Sequence, residues 1–166
     1  MHVVKWGLLT SLVRSQECSN CYAVVAAELL EHQMSTSFAV NPVSVQQIMD
    51  CTGFGCDGGS MEDTMAYIAD HPITNQFSYD GSCDTSGVTA DYEIHTNISE
   101  DTLLELLEKG PLGVVDGTHM VLLVGYDGQW ILKNSYGTDW GDQGYYKTDQ
   151  PPTDYVVEIK RINTMP

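Results

Sequence analysis

The stretch Thr118-His119-Met120-Val121-Leu122-Leu123-Val124-Gly125-Tyr126-Asp127-Gly128-Gln129-Trp130-Ile131-Leu132-Lys133-Asn134 decides the fold. Two apolar segments flank Asp127-Gly128, a dipeptide that tolerates positive φ and is a strong two-residue hairpin signal. Antiparallel strands over 119–126 and 129–134 are therefore predicted, and the return of the chain brings His119 and Asn134 to the same end. Taken singly, a strand-edge histidine and a turn asparagine have ordinary explanations. A polar ring at the mouth of an apolar strand, facing an amide, also suits catalysis.

Outward from this hairpin, short strands are predicted at 112–115, 144–148 and 155–162. The first 110 residues read as helical. Cys21 to His32 is rich in good helix formers, with Ser19 or Asn20 placed to cap it. Ser44-Val45-Gln46-Gln47 and Ser60-Met61-Glu62-Asp63 resemble capping boxes opening two further helices. A fourth begins at Ser99-Glu100-Asp101, with Leu103, Leu106 and Leu107 on one face and Lys109-Gly110-Pro111 as its stop. A helical lobe over about 10–110 followed by an antiparallel lobe over about 111–166 is an α+β arrangement in one domain, with a cleft at their boundary.

Twenty-three acidic against seven basic side chains give a formal charge of −16. Such a surface repels nucleic-acid phosphates and anionic membranes, so both partner classes are disfavoured. A cationic partner or an acidic compartment would suit it, as would simple solubility. No apolar run is long enough to span a bilayer, and the first residues lack the features of a secretory signal. Five cysteines, Cys18, Cys21, Cys51, Cys56 and Cys83, suggest two disulfides and one free thiol, which leaves fifteen arrangements open. Pairing implies an oxidising compartment, and Asn97-Ile98-Ser99 is a glycosylation candidate that fits the same setting.

Cys18-Ser19-Asn20-Cys21 can be read as a redox pair, half a zinc site, or a disulfide cysteine beside a nucleophile. Zinc lacks a closely spaced second pair of ligands, and a thioredoxin-like pair would need a βαβ unit. No metal or cofactor is expected. The nucleophile reading has a physical basis, because a thiol in the first turn of a helix faces unpaired N–H groups that favour the thiolate. A thiolate needs a base, and the base an orienting partner. His119 and Asn134 supply them.

These segments resemble the papain and cathepsin-type cysteine proteases. Gln16-Glu17-Cys18-Ser19-Asn20-Cys21-Tyr22-Ala23 is similar to the family's cysteine segment. Met49-Asp50-Cys51 with Gly55-Cys56-Asp57-Gly58-Gly59, Thr118-His119-Met120-Val121 with Val124-Gly125-Tyr126, and Lys133-Asn134-Ser135-Tyr136-Gly137-Thr138-Asp139-Trp140-Gly141 match three further blocks in order. The resemblance implies a two-lobed fold, helical and β-barrel-like, whose active site lies in the cleft and whose β lobe includes an N-terminal strand at 1–9. It implies a thiol peptidase with Cys21 as nucleophile, His119 as base and later acid, and Asn134 fixing the imidazole. The Cys21 N–H and Gln16 amide would hold the oxyanion. Trp140 would shield the His119–Asn134 bond, and Gly58, Gly59, Ser60, Met61 and Thr118 would line the substrate site, favouring an apolar residue two before the cleaved bond. Cys18–Cys56 and Cys51–Cys83 would pair. The expected protein is a monomer, secreted, lysosomal or vacuolar, that takes peptide or protein substrates and meets proteinaceous inhibitors of cysteine proteases.

Four departures stand out. Only Glu17 separates Gln16 from Cys18, which puts Gln16's reach in question. Tyr22 and Tyr136 replace tryptophans. Between Val115 and His119 only Asp116-Gly117-Thr118 remain of a longer family segment, which removes part of one cleft wall. His119 and Asn134 therefore lie nearer Cys21 than the family's spacing of roughly 130–150 residues. The rival expectation is a non-catalytic papain-like binding or structural protein with a degenerated cleft. Retention of all three catalytic residues argues against it.

Overall fold

The computed structural model describes residues 3–6, 13–35 and 42–165. Helix α1 (Cys21–Ser35) begins after Asn20, whose carbonyl accepts the N–H groups of Ala23 and Val24. Asn20 thus occupies the cap position, but its side chain turns inward and its amide nitrogen lies 3.3 Å from the Met49 sulfur. The other helices open on serines. Ser44 accepts from the Gln47 N–H at α2 (Val45–Thr52), Ser60 from Asp63 at α3 (Met61–Asp70) and Ser99 from Thr102 at α4 (Glu100–Leu107). Each such cap contributes about 1 kcal/mol. Gln47 does not reach back to complete a box. Its buried side chain instead accepts from the Thr74 N–H and donates to the Thr85 hydroxyl, both at 2.8 Å.

The strands are β1 (Val4–Lys5), β2 (Gly87–Thr96), β3 (Leu112–Asp116), β4 (His119–Tyr126), β5 (Trp130–Lys133), β6 (Tyr145–Thr148) and β7 (Tyr155–Met165). They form one antiparallel sheet in the order β2-β7-β3-β4-β5-β6, with β1 pairing β4 beside it. Of the N-terminal strand expected at 1–9, Val4 and Lys5 pair; residues 1, 2 and 7–9 lie outside the described residues.

The expectation of helix throughout the first 110 residues fails at β2, which lies between α3 and α4. Val88, Ala90, Tyr92 and Ile94 alternate with Thr89, Asp91, Glu93 and His95, a period of two that suits a strand. Its partner β7 lies far along the chain and registers with it from Gly87↔Met165 to Thr96↔Tyr155, with one bulge at Asp91/Tyr92.

Strand β4 joins the two hydrophobic cores by the same alternation. Met120, Leu122 and Val124 face the core built on α1, α2 and α3. Val121 and Leu123 face the core of Trp130, Leu132, Val156 and the α4 leucines Leu103, Leu106 and Leu107. Helix α1 lies close on the sheet at Gly113, where a Cβ would sit 3.0 Å from Val25. Tyr22 to Leu30 are almost wholly buried, so α1 is held in register by packing over more than two turns. His32 belongs to this interior too, at 6% exposure and edge-on to Trp6, rather than to the surface.

Two ion pairs tie α1 to its surroundings. Arg14 makes a bidentate pair with Glu31, which also accepts the Val43 N–H at 2.7 Å. Glu28 and Lys133 lie 2.6 Å apart with both side chains buried, and link the middle of α1 to the residue preceding Asn134. Burial pushes the Glu28 carboxyl up, and the charge of Lys133 opposes that shift. Among the described residues no helix is long and apolar enough to cross a membrane.

Candidate active site

Cys21 is the first residue of α1, half-buried, where backbone N–H groups have no intrahelical partner and the helix dipole presents its positive end. Its position is fixed from both directions. On the helix side, the Tyr22 ring is buried, edge-on to Phe54, and its hydroxyl donates to the Gly55 carbonyl at 2.6 Å. On the other side, the Cys18–Cys56 disulfide and the Ser19 N–H on the Cys56 carbonyl clamp the preceding loop. Cys51 pairs with Cys83, and Cys21 is the cysteine left free.

His119 opens β4 and Asn134 follows β5, so the Asp127-Gly128 hairpin places both at one end of the sheet. His119 Nε2 lies 2.8 Å from Asn134 Oδ1. Since an amide oxygen only accepts, Nε2 carries the proton and Nδ1 is the nitrogen left for the thiol. Asn134 is itself 5% exposed; its Oδ1 accepts the Ser135 N–H at 2.8 Å and its own N–H donates to the Gly144 carbonyl at 3.0 Å.

Thiol and imidazole shift each other. Burial acts to raise the Cys21 pKa, yet the hydrogen bond to His119, the Met120 N–H, the imidazolium charge and the Tyr22 N–H outweigh it, and the thiol ends below its ordinary value. The bond to Cys21 raises the His119 pKa, burial lowers it, and Asn134 with the charges of Cys21 and Asp116 raises it further. The net shifts run in the directions that favour a thiolate–imidazolium pair.

The ring lying on His119 is that of Tyr136, stacked at 5.1 Å and 13°. Trp140, assigned to this cover by the resemblance, sits one ring further out, edge-on to Tyr136 at 5.7 Å and to Tyr146 at 5.3 Å. The aromatic residue two beyond Asn134 was the available sequence signal.

Despite the shortened spacing, Gln16 is tied to Cys18 and to Ser135, the residue after Asn134. Residues 14–16 run beside 135–137: Ser15 bridges Tyr136, the Gln16 N–H donates to the Ser135 carbonyl at 2.7 Å, and the Gly137 N–H to the Arg14 carbonyl at 3.0 Å. The Ser135 hydroxyl donates to Gln16 Oε1, and Gln16 Nε2 donates to the Cys18 carbonyl at 2.7 Å. A primary amide has two N–H donors, and the Cys18 bond uses one. Ser135 is a holder of Gln16 that the sequence reading did not single out.

Gly58 takes φ +86, and a Cβ at Gly59 would meet the Phe54 ring at 2.7 Å, so this segment is bare backbone for steric reasons. Ser60 is occupied as the α3 cap, and Met61 is 5% exposed in the helical core. Strands β3 and β4 join through Gly117 and Thr118 alone, with Gly117 at φ +67 and Thr118 exposed. Asn97 is exposed in the turn before α4. Among the described residues Glu93, His95 and Glu158 form the group of potential metal ligands, on β2 and β7, where Lys160 pairs with both carboxylates.

The sequence model of the papain family of cysteine proteases matches residues 4–114 and 108–163, two segments that meet just ahead of the shortened β3–β4 connection. The chain is 31% identical over 188 residues to digestive cysteine proteinase 2 of Homarus americanus, covering 85% of this chain and 58% of that protein. It is 30% identical to vignain of Vigna mungo, covering 86% and 52% respectively. The chain thus spans little more than half the length of these curated relatives. Digestive procathepsin L2 from Tenebrio molitor larval midgut superimposes with a TM-score of 0.82 at 23% identity, covering 95% of this chain and 67% of that one. Bromelain from Ananas comosus, solved with the inhibitor E64, gives 0.79 at 20% identity over 97% and 99%. The fold is the papain-like α+β fold. By the family model's match over nearly the whole chain, this protein belongs to the papain family of cysteine proteases.

Proposed function

We propose that the chain is a thiol endopeptidase acting through an acyl-enzyme on Cys21. The observation that carries this reading is the free Cys21 thiol at the head of α1, lowered in pKa by His119, with the Nε2 of that imidazole held at 2.8 Å by Asn134. In this mechanism Cys21 attacks the peptide carbonyl as the thiolate. His119, with Nδ1 toward the sulfur, delivers the proton to the leaving amine and then takes one from the hydrolytic water. Asn134 keeps the ring in the tautomer and orientation that both transfers need.

The Cys21 N–H and the second N–H of Gln16 are the donors for the developing oxyanion. Losing a donor of this kind costs roughly 3 to 4 kcal/mol of transition-state stabilisation. Substrate backbone pairs with the Gly58-Gly59 segment, and the neighbouring Ser60, Met61 and Thr118 border an apolar subsite. Trp140 acts on the site through Tyr136. The two-residue β3–β4 connection leaves this side of the cleft open. Substrates are peptides or proteins, bound by a monomer, and proteinaceous inhibitors of the family are the expected antagonists. Two disulfides, the exposed Asn97 acceptor and relatives named as digestive enzymes support a secreted, lysosomal or vacuolar setting.

The test is hydrolysis of a fluorogenic peptide with an apolar residue two before the cleaved bond, followed by epoxide inactivation and peptide mapping of the adduct. Hydrolysis abolished by an adduct on Cys21 is the expected result; an adduct elsewhere, or turnover that survives labelling of Cys21, contradicts the assignment.

A further inference from the structure

We infer that Asp116 and Tyr146 act together as positioning residues for the His119 ring, clasping the aromatic stack of the asparagine loop to the hairpin that carries the histidine. The inference rests on the peptidase reading above and adds two residues to it. With only Gly117 and Thr118 between β3 and β4, Asp116 stands directly opposite His119 in the strand register. The Tyr146 hydroxyl, on β6, donates to Asp116 Oδ2 at 2.6 Å. From Tyr146 a path of rings leads back to the base: Trp140 edge-on at 5.3 Å and 88°, Tyr136 edge-on to Trp140 at 5.7 Å and 80°, and Tyr136 flat on His119 at 5.1 Å and 13°. Side chains and strand ladder together form a closed circuit around His119.

The circuit matters because the rings of its outer members are not held by burial. Tyr136 is 47% exposed and Trp140 36%, so neither is fixed by core burial. Tyr146 is half-buried and packs against the core that contains Trp130 and Leu132, which makes it the anchored end of the stack. Its bond to a carboxylate is of the charge-assisted kind, stronger and more directional than a neutral one. Burial and Asp116 hold the phenol well above its ordinary pKa, so it remains the donor throughout the working range of the enzyme. Moving Tyr146 off Asp116 lets the stack slide, and the imidazole loses the flat surface that sets its tilt.

Asp116 has a second effect. The charged groups acting on His119 are Cys21 from α1 and Asp116 from β3, and both favour the imidazolium. The Tyr146 bond keeps the Asp116 carboxylate at its place beside the ring.

The experiment compares wild type, Tyr146→Phe, Asp116→Asn and the double variant in three readouts: kcat and KM for a fluorogenic peptide, the iodoacetamide rate at Cys21 against pH, and thermal melting. Tyr146→Phe keeps the ring, so its melting temperature should stay close to wild type while kcat falls about five- to tenfold with KM within about twofold. Asp116→Asn should lower kcat similarly and move the alkaline limb of both pH profiles to lower pH. The double variant should fall within about twofold of the worse single, because both changes break one bond. Wild-type kcat and unchanged pH limbs in both single variants would overturn the inference, as would losses that multiply in the double variant or fall on KM alone. If wild type neither hydrolyses peptides nor shows an acid window of Cys21 alkylation, the peptidase reading fails and this inference with it; a working wild type with indifferent variants removes the inference only.

Discussion

The two sides of the catalytic pair are held by different means. Cys21 sits at the head of a helix buried for more than two turns, preceded by a disulfide and followed by a buried tyrosine. His119 sits at the mouth of a two-residue hairpin, and its ring is held by one amide, one stacked phenol and a chain of half-exposed aromatics. Packing and covalent links give the nucleophile a place that changes only if the fold changes. Hydrogen bonds and ring contacts give the base a place that single side chains can disturb. Substitutions on the cysteine side should therefore report mainly in stability, and those on the histidine side mainly in turnover and its pH dependence.

The sharpest exception to that division is the nucleophile itself. Cys21→Ser should lower kcat by at least about 10⁴-fold while leaving the melting temperature nearly unchanged, because the hydroxyl is smaller but isosteric and cannot form the thiolate. Residual peptidase activity in that variant would remove Cys21 from its role. Next in size is Lys133→Met, which takes from the buried Glu28 carboxyl the cation that opposes its protonation. A loss of about 3 to 5 kcal/mol in urea unfolding is expected, and the Glu28→Leu, Lys133→Met double variant should recover most of it. Stability unchanged by Lys133→Met would show that the pair does not join the two sides.

On the catalytic side, Gln16→Ala should cost roughly 100- to 1,000-fold in kcat with little change in KM, if its second N–H serves the oxyanion. An effect below about threefold would leave Gln16 as a mere brace between Cys18 and Ser135. Smallest is Tyr136→Leu. Removing a stacked ring worth about 0.5 to 1.5 kcal/mol should reduce kcat by no more than about tenfold and leave urea unfolding nearly as in wild type. A stability loss larger than the kinetic one would blur the contrast between the two sides.

The hairpin, the serine caps and the site blocks were legible because each rests on local chemistry. Asp127-Gly128 dictates its turn, and Ser44, Ser60 and Ser99 each have an N–H to accept three residues on. Strand β2 was missed although Val88, Ala90, Tyr92 and Ile94 alternate with polar residues, since its partner β7 lies some sixty residues away and no turn signal links them. The swap of Tyr136 for Trp140 as the cover on His119 had the same origin in reverse. The resemblance supplied a tryptophan, whereas proximity to the ring follows from the path of the chain after Asn134. Gln16's reach was in question from spacing alone, and the pairing of 14–16 with 135–137 that holds its backbone is a contact across the whole chain, invisible to local sequence. Asp116 and Tyr146 carried no motif, and only the fold brings them together.

The most direct test of the account is the rate of Cys21 alkylation by iodoacetamide as a function of pH, in wild type and in His119→Gln. The thiol lies below and the imidazole above its ordinary pKa. Sign follows from chemistry: acid protonates the thiolate as pH falls through the lowered Cys21 value, and the imidazolium is lost as pH rises through the raised His119 value. Wild type should react fast over a plateau that begins well below the ordinary thiol pKa and changes again on the alkaline side, whereas His119→Gln should show one rise near pH 8.5. A single rise near that pH in folded wild-type protein would mean that Cys21 and His119 form no ion pair, and the central claim would fall.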